Sequence, residues 1–86
     1  MNITIYTKEA CPQCRATKRA FEKLGINFEE ININDKDRPK TEIEETLSFL
    51  TKELGYLSVP VVYIDKNTHW SGFNPTKIKK LAEILV

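Results

Sequence analysis

The sequence predicts one small α/β domain, residues 1–86, with elements in the order β-α-β-α-β-β-α and a four-stranded mixed sheet flanked by three helices. Three observations predict it. Short β-branched or apolar runs alternate with stretches whose apolar residues recur at helical spacing. The opening strand, helix and strand have the lengths of a right-handed crossover between parallel strands. Near the end, "VPVVYIDKNTHW" reads as two strands joined by a tight turn, followed by a last helix.

Each element has its own signal. "NITIY", Asn2 to Tyr6, is short, β-branched and apolar, as a buried strand should be. A helix is predicted from just after Cys11 to Leu24, with Gly25 as its C-terminal stop. Its Ala16, Ala20, Phe21 and Leu24 share one side, while Arg15, Lys18, Arg19 and Lys23 fall elsewhere. "NFEEINI", Asn27 to Ile33, alternates imperfectly and reads as the second strand.

After the breaker-rich "NDKDRPK", the residues Ile43, Leu47, Leu50 and Leu54 recur at helical spacing and predict an amphipathic helix over 39–54, ended by Gly55. Val59 to Asp65 is the next strand, "DKN" the turn and "THW" its partner. Asn74-Pro75 then starts a helix, asparagine as the cap and proline in the first turn. Ile78, Leu81, Ala82 and Leu85 carry its apolar side.

Composition narrows the field. With 41% hydrophobic and 29% charged residues the chain has an ordinary soluble balance. A formal net charge of +1 gives no global field that would draw nucleic acid or an anionic membrane. No apolar run approaches the roughly 20 residues that span a bilayer. "MNITIYTKEAC" has neither a basic n-region nor an apolar h-region, so the expected compartment is the cytoplasm.

Chemistry concentrates in "EACPQCRATKRAF", which holds both cysteines, Cys11 and Cys14. A bridge across two residues constrains little of the unfolded chain, and lasting structural disulfides are rare in the cytosol. A zinc site needs four ligands, and beyond these two only His69 is a soft candidate, so zinc would require a partner chain. His69 is expected to be an exposed hairpin residue. A redox dithiol remains. At a helix start, unpaired N–H groups and the positive end of the helix dipole favour thiolate over thiol. Cys11 is then the nucleophile, and Cys14, one turn in, attacks the mixed disulfide to release the partner. Pro12 suits the first turn, Gln13 brings no charge, and Lys8 adds positive potential from the preceding loop. Lys18, Arg19 and Lys23 are expected to be a solvated face.

With these residues in hand, the chain resembles the thioredoxin superfamily and its glutaredoxin-like branch. "YTKEACPQC" looks like the glutaredoxin active-site loop, with Lys8 and Cys11-Pro12-Gln13-Cys14 in matching places. "SVPVVYID" resembles the superfamily's cis-proline segment, which implies a cis Pro60 with Val59 opposite the disulfide. In that family the backbone before the proline pairs with the incoming substrate like an added strand. Where glutaredoxins usually carry a Gly-Gly pair and acidic residues that help hold glutathione, this chain has "HWSGFNP". That resembles the Trp-Ser-Gly-Phe-Arg-Pro signature of NrdH-type redoxins.

The resemblance implies a thioredoxin fold and a monomeric dithiol oxidoreductase with no bound cofactor. NADPH and FAD would enter only through thioredoxin reductase as partner. Electrons would pass to class Ib ribonucleotide reductase or another disulfide-bearing protein. It also implies that Trp70, Ser71, Gly72 and Phe73 line the dithiol where glutathione would otherwise bind. The residues by themselves allow a core role for Trp70, and favour one for Phe73 and Tyr56. A glutathione-dependent glutaredoxin and a non-catalytic binding module are the alternatives. Two departures stand out. Asn74 replaces the signature's arginine, and the segment 34–56 is longer than usual by roughly one to two helical turns.

Overall fold

A computed structural model describes residues 2–85 of the chain. The elements are β1 (Thr4–Thr7), α1 (Pro12–Lys23), β2 (Glu29–Asn32), α2 (Lys40–Ser48), β3 (Val61–Asp65), β4 (Thr68–Ser71) and α3 (Pro75–Leu85). A π-helical turn, Phe49–Glu53, continues α2. The strands lie in the order β2-β1-β3-β4. β1 and β2 run parallel; β3 is antiparallel to both β1 and β4. This is the thioredoxin-like fold that the sequence predicts, strand for strand and helix for helix.

Strand alternation divides the core into two layers. Ile5 faces Val62 and Val62 faces Trp70 across the sheet. These residues pack with Ile3, Phe21 of α1 and Ile78 and Leu81 of α3. Tyr6 and Val61 are likewise paired, and they belong to the opposite layer with Leu50, Phe49, Leu54 and Tyr63. Phe21 is fully buried and meets Phe28 edge to face.

Helix ends follow the sequence signals. The Gly25 N–H donates to Glu22 O at 3.1 Å and the Ile26 N–H to Phe21 O at 2.9 Å, the two bonds of a Schellman motif. Gly25 reaches the left-handed φ of +71° that this motif needs. At α3 the Asn74 side chain accepts the Lys77 N–H at 3.1 Å, so asparagine caps the helix as expected.

The helix expected over 39–54 departs from its pattern. α-helical winding stops at Ser48, and the Leu54 N–H then reaches five residues back to Phe49 O at 3.1 Å. The half-buried positions of the α-helical part are Ile43 and Thr46. Leu47, expected inside, is exposed, while Phe49 packs with Leu50 against the sheet. Leu85, also expected on an apolar face, is exposed at the end of α3.

Outside the two layers, β1, β2 and α1 are linked by a carboxylate. The Thr7 hydroxyl donates to Glu30 Oε2 at 2.7 Å, and Lys18 Nζ lies 3.0 Å from the same oxygen. Partial burial pushes the Glu30 carboxyl up, but the bonds from Thr7 and Lys18 and the lysine charge outweigh it, and its pKa is lowered. A lowered folded-state pKa contributes stability that is complete above the unfolded pKa and is lost as pH falls through the folded one. Glu30→Gln is therefore expected to destabilise the protein by less than about 1 kcal/mol at neutral pH, since the pair is half-exposed. That difference should vanish at acid pH in urea unfolding curves measured across pH.

Candidate active site

The chain leaves β1 through an exposed loop containing Lys8 and turns sharply at Ala10, whose φ is +52°. A non-glycine residue in the left-handed region is uncommon, and here it redirects the chain so that Cys11 becomes the N-cap of α1. Pro12 occupies the first turn. Cys11 and Cys14 form a disulfide with Cα atoms 5.2 Å apart. The Cys14 N–H donates to Cys11 Sγ at 3.1 Å, the bond that an N-cap side chain makes to an otherwise unpaired helix N–H. When the disulfide is reduced, the same donor favours a thiolate on Cys11. Both cysteines are largely enclosed, Cys14 the more so.

Two other segments close on this turn. The Val59-Pro60 peptide bond is cis, as the family resemblance implies. The Val59 carbonyl oxygen lies 3.9 Å from Cys11 Sγ. From the far side of the sheet comes the loop after β4. The Gly72 N–H donates to Pro60 O at 2.8 Å and the Ser71 hydroxyl to Ser58 O at 3.0 Å. The Phe73 N–H donates to Gln13 Oε1 at 3.1 Å. Gln13 is held in turn, because its carbonyl accepts the Thr17 hydroxyl at 2.8 Å. Three segments remote in sequence are thus joined around one pair of sulfurs.

Of the residues singled out in the sequence, Cys11, Pro12, Gln13, Cys14, Val59, Pro60, Ser71, Gly72 and Phe73 fall into this assembly, with Lys8 exposed in the loop beside it. Trp70 does not line it. Alternation along β4 turns its indole away from the side shared by His69 and Ser71, and it is only 5% exposed within the α1/α3 layer. Lys77 stands over its ring at 5.8 Å. Trp70 is a core residue that anchors the loop from beneath. Phe73 departs in the other direction. Favoured as core, it is 41% exposed, and its N–H is bonded to Gln13 at the rim.

His69 is also placed otherwise than expected. It is half-buried, stacks on Tyr63, and has Nδ1 2.6 Å from the Tyr56 hydroxyl. Burial pushes the Tyr56 phenol up, which keeps its proton on oxygen. This contact, the Ser58–Ser71 bond and the grip of Gln13 on Phe73 were not visible in the sequence. They join residues 13, 13 and 60 positions apart, beyond any periodicity.

Among the described residues, no three His, Cys, Asp or Glu gather where they could hold a metal ion. No described helix is long and apolar enough to cross a membrane. The chemistry present is that of two sulfurs at a helix start, with the Val59 carbonyl beside them.

Known proteins share this arrangement. The Glutaredoxin family model matches residues 3–70, and the chain belongs to the glutaredoxin family. It is 44% identical over 81 residues to the glutaredoxin-like protein NrdH of Escherichia coli K12, covering 94% of this chain and 89% of that one. The NrdH protein of Lactococcus lactis is 34% identical over 80 residues, covering 93% of this chain and 99% of that one. Among solved structures, the NrdH-redoxin of E. coli superposes with a TM-score of 0.73 at 42% identity, covering 94% of this chain and 95% of that one. Within the family the chain is thus an NrdH-type redoxin, and its Cys11–Cys14 pair makes it a thiol–disulfide oxidoreductase.

The joint between Gln13 and the loop after β4 can be tested directly. Gly72 has a φ of +87°, and a Cβ there would lie 3.4 Å from Gln13 Oε1. Gly72→Ala is expected to destabilise by at least about 1 kcal/mol in denaturant unfolding, since alanine does not fit that backbone. Gln13→Ala should leave the fold intact and cost about 1 kcal/mol. Its signature is faster hydrogen exchange at the Phe73 amide.

Proposed function

We propose that the protein is a cytoplasmic, monomeric dithiol electron carrier that thioredoxin reductase reduces and that passes electrons to the disulfide of a class Ib ribonucleotide reductase. Cys11 is the attacking residue. Its thiolate attacks one sulfur of the partner's disulfide, forming a mixed disulfide and expelling the partner's other sulfur as thiolate. The Cys14 thiolate then attacks Cys11 Sγ, closing the Cys11–Cys14 disulfide and expelling the partner's second sulfur. Two electrons leave the dithiol, and the two protons released end on the partner's thiols. The reductase reverses the exchange with electrons from NADPH through its flavin, so the carrier needs no cofactor of its own.

The observation that carries this reading is the hydrogen bond from the Cys14 N–H to Cys11 Sγ at the start of α1. It gives Cys11 a reason to ionise within its own helix turn. Cys14, more enclosed and one turn along, suits the resolving role. Lys8 adds positive potential on the open side, and the Val59 backbone offers an edge for an incoming segment. Support for thioredoxin reductase over glutathione comes from the loop Ser71-Gly72-Phe73, drawn against Gln13 and Pro60 beside the dithiol. It comes also from the E. coli NrdH-redoxin, a glutaredoxin-like protein with a thioredoxin-like activity profile. Glutathione-dependent turnover is the second reading, favoured by Lys8 and the Val59-Pro60 segment.

A coupled NADPH-oxidation assay with a disulfide substrate decides between them. Turnover is expected with thioredoxin reductase and not with glutathione plus glutathione reductase; the reverse result would make glutathione the reductant. Cys11→Ser should abolish turnover, and Cys14→Ser should accumulate a mixed disulfide visible by mass spectrometry.

A further inference from the structure

Leu57 is 92% exposed, more than any other large apolar side chain among the described residues. A single exposed leucine is ordinary on a protein surface. What distinguishes this one is that the backbone on both sides of it is held. On one side, the Tyr56 N–H donates to Leu50 O at 2.8 Å and the Tyr56 hydroxyl meets His69 Nδ1 at 2.6 Å. On the other, Ser58 O accepts the Ser71 hydroxyl at 3.0 Å and Pro60 O accepts the Gly72 N–H at 2.8 Å. Four hydrogen bonds thus fix the chain from which Leu57 projects.

Its location matters as much as its exposure. Two residues on is Val59, whose carbonyl lies 3.9 Å from Cys11 Sγ. Two residues of chain span at most about 7 Å. On the Gln13 side of the same dithiol stands Phe73, 41% exposed. Disulfide exchange passes through a bond between Cys11 Sγ and a partner sulfur, about 2 Å long. A protein that docks and reacts there covers about 800 Å² of this surface, a patch about 16 Å in radius, and the two-residue bound keeps the Leu57 backbone within it.

We propose that Leu57, presented by the Tyr56–His69 clasp, is the contact through which this chain selects protein disulfides flanked by apolar side chains. The partner's apolar residue next to its cysteine packs on Leu57 while its backbone meets Val59. This rests on the reading of Cys11 as the attacking thiol and adds to it a preference for what surrounds the target disulfide.

The probes are two synthetic peptides, each with one disulfide and identical except that the residues flanking the cysteines are leucines in one and serines in the other. With dithiothreitol as the reductant, the wild-type protein is expected to favour the leucine-flanked peptide by about tenfold in kcat/KM, the scale of one buried leucine contact. In Leu57→Ser the preference should fall to about twofold or less, with turnover of the serine-flanked peptide unchanged. Leu57→Met should keep the preference, and Tyr56→Phe, which retains the ring but loses the bond to His69, should lose part of it. Equal rates on both peptides for the wild type, or undiminished preference in Leu57→Ser, would overturn the proposal. Undiminished preference in Tyr56→Phe would overturn the clasp. A Cys11→Ser protein that still reduced either peptide would instead refute the dithiol mechanism itself, and the Leu57 assignment with it.

Discussion

The first turn of α1 carries the reactive end of the molecule. Its Cys14 N–H points at Cys11 Sγ because the chain enters the helix in extended conformation at Cys11, with φ −119° and ψ 98°. Helix starts leave several N–H groups without partners in the helix itself. A sulfur placed there satisfies one of them and gains a stable site for negative charge. The same turn faces Gln13 toward Phe73, so the backbone that favours the thiolate also ties down the loop beside it. Ala10, held at positive φ, is the local strain that accompanies this entry.

The second organising element is the loop between the π-helical turn and β3. It carries Val59 to Cys11 Sγ, and side chains of β4 hold it together with its backbone bonds from Tyr56 to Leu50 and from Gly72 to Pro60. β4 is an edge strand whose two faces do different work. Trp70 is sunk into the α1/α3 layer and fixes the strand; His69 and Ser71, on the other side, hold Tyr56 and Ser58. One short strand thereby couples the core to the rim of the dithiol.

The segment 34–56 acquires a structural account in these terms. Its helix does not run on as a regular α-helix but widens at Phe49–Glu53, which brings Phe49 and Leu50 onto the sheet. The chain then leaves through Gly55 with the Tyr56 N–H bonded back to Leu50. Tyr56 then meets His69 Nδ1 at 2.6 Å, at a point where the chain must next reach the dithiol.

The sequence by itself determined the element order, the mixed sheet and the place of the dithiol. These follow from local signals: β-branched strands, Gly25 and Asn74-Pro75 as helix punctuation, and a CxxC between a strand and a helix. Backbone sterics and short-range hydrogen bonding act within a few residues, so a chain segment displays them directly. Only the tertiary structure decided which face of β4 Trp70 occupies, that Phe73 is at the surface, that Leu47 is outside while Phe49 is inside, and that Gln13, His69 and Ser71 hold loops in place. Each of those outcomes depends on strand register, on how a helix face meets the sheet, or on a hydrogen bond between residues far apart in sequence. No short window of sequence contains both partners of such a bond, and packing of the whole chain is what brings them together.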